Sequence, residues 1–278
     1  MSRHRGPARV LGTIVGAGIA WGLFESQWVE ARQVQVPVPG LPAALDGLRI
    51  LHLSDFHLGS LSLNARALRK AVDWASTSEA DLVAMTGDLL SRPRGEEDLR
   101  WALRRLRGRH GAFVVLGNHD VAVTRDPFSA AHEVEDLKRE GATLLRDEAA
   151  SIDGLGARVQ VVGADPTTYL ARRSRLEELA DPDADLRLLL CHFPEVVDRL
   201  HPGAFHLVLA GHVHGGQVCL PYPGGKVSFG ELRPRYPEGV FRLEGTTLVV
   251  SRGTGTAFVP FRFFARPEAT ELVLRPAG

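Results

Sequence analysis

From Leu48 onward, short apolar runs alternate with stretches of helical spacing. The runs at 48–53, 81–86, 112–116, 158–162, 186–191 and 205–210 are built mostly of Leu, Val, Ala and Ile. Near-continuous apolar runs of this length describe strands buried on both faces. Between them, Leu68, Ala71, Val72 and Ala75 fall on one face of a helix predicted over 64–78. Leu99, Leu103 and Leu106 do the same over 96–107, and 129–140 and 172–180 repeat the pattern more weakly. Such alternation predicts an α/β domain in which helices pack on β-sheet layers. The tail differs: 241–243, 246–251 and 269–275 read as strands with no long helix between them.

The N-terminus has another pattern. Val10 to Phe24 carries no charge, Arg3, Arg5 and Arg9 precede it, and Glu25 and Glu30 follow. A basic flank before a short apolar run is the mark of a signal sequence or a membrane anchor. The flank would stay in the cytoplasm, which places the rest of the chain on the extracytoplasmic side. Trp21 and Trp28 suit a membrane interface, and Gly18 and Ala20 offer a small-x-small cleavage site. A buried N-terminal helix of the domain is the competing reading. The prolines in 34–46 forbid a helix and leave a linker or a first strand. The expected division is therefore 1–33 as signal or anchor, 34–46 as linker or strand, and 47–278 as one catalytic domain.

Composition narrows the partners. Lys plus Arg (33) equals Asp plus Glu (33) in 278 residues, so the basic excess of a duplex-binding protein is missing and no nucleic acid partner is expected. The Arg clusters at 104–109 and 172–175 sit beside acidic residues and read as solvated helix faces. Two cysteines, Cys191 and Cys219, make no disulfide framework.

Candidate chemistry follows the apolar runs directly. Ser54-Asp55-Phe56-His57 comes after the first, Gly87-Asp88 after the second, and Gly117-Asn118-His119-Asp120 after the third. Cys191-His192 and Gly211-His212-Val213-His214 follow the fifth and sixth. Five strand ends thus deliver polar groups to one sheet edge, where α/β folds bind ligands. Carboxylate, amide oxygen and imidazole together suit Mn, Fe or Zn, and no thiolate set competes. Two such cations can hold phosphate oxygens and lower the pKa of a bridging water, giving hydroxide near neutral pH.

Taken in order, these five pieces resemble the calcineurin-like metallophosphoesterases, over roughly residues 48–275. Residues 211–221 (GHVHGGQVCLP) and 251–274 (SRGTGTAFVPFRFFARPEATELVL) further resemble the membrane-associated bacterial branch of YkuE and YaeI phosphodiesterases. The resemblance implies a four-layer α/β/β/α sandwich and two divalent metal ions, Mn, Zn or Fe. It implies Asp55, His57 and His214 on one metal, Asn118, His192 and His212 on the other, and Asp88 between them. His119 would protonate the leaving group or steady the phosphate, with Asp120 orienting its ring. The implied activity is hydrolysis of a phosphodiester or pyrophosphate bond by a metal-bridging hydroxide, on an envelope or lipid-linked substrate. A non-catalytic membrane-anchored module of the same fold and a nuclease are the alternatives, and the intact ligand set and balanced charge weigh against them.

Other groups read as structural. His52 and His206 belong to strands, and His4, His110, His132 and His201 to the surface. Cys191 reads as a buried, inert thiol. Residues 215–237, rich in Gly and Pro with Tyr222, Phe229, Arg233, Arg235 and Tyr236, form either a substrate wall or a plain surface loop.

Overall fold

The computed structural model describes residues 5–124, 126, 129, 140–223, 225–230 and 234–278, with the side chains of 5–9 left aside. Two six-stranded sheets lie face to face. The first runs in the order β1 (Glu30–Val38), β14 (Glu268–Pro276), β2 (Arg49–Leu53), β3 (Leu82–Thr86), β4 (Ala112–Val115) and β5 (Thr143–Leu144). The second is ordered β12 (Gly239–Leu243), β13 (Thr246–Val250), β9 (Leu207–Ala210), β8 (Leu186–Leu190), β7 (Val159–Gly163) and β6 (Glu148–Ile152). A hairpin of β10 (Cys219–Tyr222) and β11 (Gly225–Ser228) stands apart.

Alternation of side chains explains why the sequence runs lack polar positions. Ile50 and Leu82 of the first sheet meet Leu188, Leu207 and Leu209 of the second in one core. Leu51, Leu53 and Val83 point the other way, onto α2 (Asn64–Ala75) and α3 (Glu96–Leu103) through Leu68, Val72 and Leu99. On the outer face of the second sheet, Leu189, Val208 and Val250 pack with Phe205, Tyr169 and Phe193. Every central strand therefore buries both faces.

The layered α/β sandwich matches the expected fold class, but its fourth layer is thin. It consists of the short α4 (Pro166–Leu170) and of 3₁₀ turns at Leu176–Leu179 and Pro194–Arg199. The helix expected over 172–180 is shortened because Arg172 enters the left-handed region at φ 55°. The helix expected over 129–140 falls almost wholly outside the described residues.

Of the two readings for 34–46, the structure has the strand, and it starts earlier than that segment. β1 pairs in parallel with β14 from Glu30 to Val38, so the expected boundary at residue 33 falls inside it. Pro37 is tolerated because β1 is an edge strand. Arg32 reaches Glu268 at 2.9 Å and Gln33 reaches Glu271 at 2.6 Å.

Ahead of it, α1 spans Arg5–Glu25. No helix among the described residues is long and apolar enough to cross a membrane. Nor is α1 a buried helix: Val10, Leu11, Ile14, Val15 and Ile19 are exposed. Its C-terminal end is tied down to the tail of the chain. A Cβ at Gly22 would lie 2.6 Å from the Phe263 ring, Gly22 O accepts from Arg262 N at 3.1 Å, and Glu25 Oε1 accepts from Ala265 N at 2.9 Å.

Strands β2, β3 and β4 are mutually parallel, as are β7, β8, β9 and β13. The carboxyl ends of β2, β3, β4, β8 and β9 carry all the candidate ligands.

Because β1 closes the edge of the first sheet, a chain starting at Gly40 should unfold about 5 °C or more below one starting at Trp28. Differential scanning calorimetry of the two truncations reads this, and equal melting temperatures would deny β1 a part in the sheet.

Candidate metal centre

The ligand residues sit where each strand turns sharply out of its sheet. Asp55, His57, Asp88, His212 and His214 all have positive φ, between 46° and 74°. Non-glycine residues avoid this region at a cost of about 1–3 kcal/mol each, so such a cluster marks a site that the surrounding fold over-determines. The turns are pinned to one another: Asp55 N donates to Gly87 O and His57 N to Asp88 O, each at 2.9 Å. Two glycines make room. A Cβ on Gly117 would strike the Asp88 carboxylate, and one on Gly211 would strike Ser54 Oγ and the Asp55 carboxylate.

Among the described residues, side chains then gather into three overlapping groups, of which His57, Asp88 and His119 form the middle one and share a residue with each of the other two. Asp55, His57 and His214 bring their ligand atoms within 4.8 Å of one another, and so do Asp88, His192 and His212. Asp88 Oδ2 is 3.1 Å from His192 Nε2 and 3.5 Å from His57 Nε2, which puts it between the two groups. His57 Nε2 and His214 Nε2 face each other at 3.0 Å, and His212 Nδ1 faces His192 Nε2 at 3.1 Å. Two imidazole nitrogens converging in this way suit a shared cation. His192 Nδ1 lies 2.8 Å from Thr86 O, so that nitrogen carries a proton and Nε2 is the one turned toward the site. Asn118 Oδ1 is buried with no hydrogen-bond partner, as a ligand oxygen would be. These donors fit divalent cations of the Mn, Fe and Zn kind.

Burial dominates the electrostatics. It pushes the Asp55 carboxyl up to about 7 and holds His57 and His212 down at about 3, with His214 also well below its ordinary value. Neutral imidazoles keep a lone pair free for a metal. Burial also opposes charge on Asp88 and His192, but there the pairing wins. The His192 and His119 rings hold the Asp88 carboxyl well below the usual carboxylate range, and Asp88 raises His192 to about 9.

His119 lies beside these groups, its Nε2 3.9 Å from Asp88 Oδ2. Asp120 has a different place from the one expected. Its Oδ1 accepts from the amides of Leu89 and Leu90, and its Oδ2 from Gly117 N, all at 2.8–2.9 Å, so it staples the β3 and β4 loops together. The groups at the His119 ring are Ser129 Oγ, 2.6 Å from Nδ1, and Thr124 Oγ1, 3.2 Å from Nε2. Ser129 donates in turn to Asp126 Oδ2 at 3.3 Å.

Two supporting residues escaped the sequence reading. Asn64 donates to His57 O at 3.0 Å and accepts from Thr256 N at 3.0 Å, joining the first ligand loop to the tail. Arg262 is fully buried and donates to the carbonyls of Gly255, His214, Ala265 and Arg252. Burial lowers its pKa to about 10, which leaves it charged at neutral pH. Asn64 belongs to no motif, Arg262 lies unmarked within the 251–274 stretch, and both bind backbone atoms that only the fold brings near. His52 and His206 are structural, bonded to Thr86 and Arg187, and both cysteines are free and buried. The ligand groups open into a cavity of about 1130 Å³ whose opposite wall holds Phe229, Phe258, Val259 and Phe261. Phe229 comes from the 215–237 segment, which thus forms part of that wall, whereas Arg233 lies outside the described residues.

Comparison with known proteins gives the same picture. The model of the family "Calcineurin-like phosphoesterase" matches residues 48–216. An uncharacterized metallophosphoesterase of Bacillus subtilis, YkoQ, is 31% identical over 236 residues, covering 83% of this chain and 84% of its own. A second from that organism, YkuE, is 26% identical over 94% of this chain and 91% of its own. A Danio rerio "transmembrane protein with metallophosphoesterase domain" is 30% identical over 96% of this chain and 63% of its own.

Since His192 is protonated at pH 7 without a cation, metal binding must displace its proton. Titrating the metal-free chain with Zn in buffers of different ionisation heat should show proton release at pH 7 that shrinks as pH rises through about 9. Release that ignores pH would remove His192 from the ligand set. Gly211→Ala should bind less metal than the wild type by elemental analysis, because the added methyl displaces Asp55.

Proposed function

The chain belongs to the calcineurin-like phosphoesterase family of hydrolases, and from that premise we propose that it hydrolyses a phosphodiester or pyrophosphate bond at a two-metal centre. The observation that carries this reading is the chain of three ligand groups that overlap at His57 and Asp88, opening into one large cavity. Asp55, His57 and His214 would hold one divalent cation, Asn118, His192 and His212 the other, and Asp88 both. Cations bound there would polarise the phosphoryl oxygens and acidify a water held between them.

The chain's own groups supply the rest. His119 is placed to hold the proton that the departing oxygen needs. Nδ1–H is directed at Ser129 Oγ and Ser129 at Asp126, which fixes the ring so that Nε2 is the nitrogen left to carry the transferred proton. Asp120 keeps the loop that bears His119 against the loop that bears Asp88. Phe258 and Val259 give the cavity an apolar face beside His119 against which a substrate could lie.

Within the family we place the chain beside YkuE, to which it is similar along most of its length. We further propose an envelope or lipid-linked substrate met at a membrane on the extracytoplasmic side. Support comes from the exposed apolar side chains of α1, the basic flank ahead of it, and the apolar cavity wall. Cell fractionation with protease protection tests the location.

His119→Ala should lower kcat on bis-p-nitrophenyl phosphate about 10²–10⁴-fold while metal per chain stays constant. Asp88→Asn should lose metal and turnover together. Elemental analysis beside the assay separates the two, and loss of metal from His119→Ala would reassign that residue as a ligand. Metal binding without turnover of any phosphoester would favour a non-catalytic module instead.

A further inference from the structure

The residue that joins the metal-binding turn to the cavity wall is Gln217. It follows directly on the turn that carries His212 and His214, and has φ 50°. Its side-chain amide is spent entirely on one loop. Oε1 accepts from Ala257 N at 2.8 Å, and Nε2 donates to Ala257 O at 2.8 Å and Val259 O at 3.0 Å, with Phe261 O at 3.4 Å. Backbone bonds extend the seam, since Phe263 N donates to Gln217 O and Cys219 N to Phe263 O, both at 2.9 Å.

The loop so held is unusual. Phe258 has φ 57°, a strained conformation for an aromatic residue, and its ring remains 55% exposed. That ring stands edge-on to His119 with centroids 6.3 Å apart. It also lines a second, smaller cleft of about 130 Å³ with Leu61 and Pro260. An exposed phenyl ring on a strained backbone gains nothing in stability where it stands. Its position beside the proton-handling imidazole accounts for it as a surface for the substrate.

We propose that Gln217 is a positioning residue that sets Phe258 and Val259 as the apolar half of the substrate site. The site thereby selects phosphoesters with one long aliphatic arm over compact ones. This rests on the phosphoesterase reading above and deepens it. The arm lies along Phe258, Val259 and Phe229 while the phosphoryl group faces His119 and the ligand cluster. Buried methylenes contribute about 0.8 kcal/mol each, so a few of them suffice for a tenfold preference.

The test compares methyl and decyl p-nitrophenyl phosphate, which share a leaving group and differ only in the arm. Metal-loaded wild-type protein should favour the decyl ester about tenfold or more in kcat/KM, mainly through KM. Gln217→Met and Phe258→Ser should each erase most of that ratio, while Phe258→Leu should keep it. A variant that merely loosens the whole site lowers both esters alike, and an intact ratio in Gln217→Met and Phe258→Ser would overturn the proposal. Calorimetric binding of decylphosphonate against methylphosphonate reads the same selectivity without turnover. A chain that hydrolyses neither ester but binds decylphosphonate more tightly, with the preference lost in both variants, would refute the hydrolase reading and keep the pocket. Equal binding of the two phosphonates by the wild type would refute the pocket whatever the turnover.

Discussion

The buried carboxylate of Asp88 is the constraint around which the rest is organised. It is almost wholly enclosed, yet its two oxygens meet His57, His119 and His192 from three different loops. An ionised carboxylate in such a place is costly unless it is paired and hydrogen-bonded. The imidazoles supply part of that compensation, and divalent cations held by the same donors would supply more. Drawing so many polar groups to one point requires backbone that L-residues avoid, and five of the candidate ligands adopt it. The cost is tolerable because two sheets with fully packed faces hold the strand ends on either side of the turns. The apolar interior is therefore what allows a polar, strained site to exist at its edge.

The same arrangement explains how much could be read from the chain. The strands were legible because both their faces are buried, so they appear as unbroken apolar runs. The ligands were legible because they follow those runs without a spacer. Asp120 was harder. Its position next to His119 suggested a ring partner, but adjacent side chains on a tight turn diverge, and its oxygens instead receive three backbone amides. β1 was ambiguous because prolines at an edge strand look the same as prolines in a linker. The 172–180 segment reads as a helix because amphipathic spacing does not distinguish a helix from a short turn that covers the same core.

Although Gln217 and Arg262 lie within the 211–221 and 251–274 stretches, the roles of Asn64, Gln217 and Arg262 could not be read from the sequence, for a common reason. Each binds main-chain atoms, and main-chain atoms carry no residue identity to form a motif. Their partners lie up to 192 positions away and become neighbours only when the tail returns past the ligand loops. Arg262 shows what such a residue contributes. A buried guanidinium with a pKa still near 10 remains charged, and it is satisfied almost entirely by carbonyl oxygens of the 252–265 loop and of His214. Removing the charge would leave several carbonyls unpaired at once, so the tail loop and the His214 turn stand or fall together.

That linkage bears on how a polar centre and an apolar wall come to share one cavity. The tail loop is fixed from below by Arg262 and from the side by Gln217, and both contacts lead back to the turn that bears His212 and His214. Any shift of the wall therefore pulls on the ligands, and any shift of the ligands moves the wall. Rigid coupling of this kind preserves the spacing between charged and apolar halves without a flexible lid. It also keeps the low-dielectric surface close to the reacting centre, where electrostatic interactions are strongest. The strain at Phe258 is then the counterpart of the strain at Asp88 and His214, since each holds a side chain toward the cavity in a conformation the isolated chain would not choose.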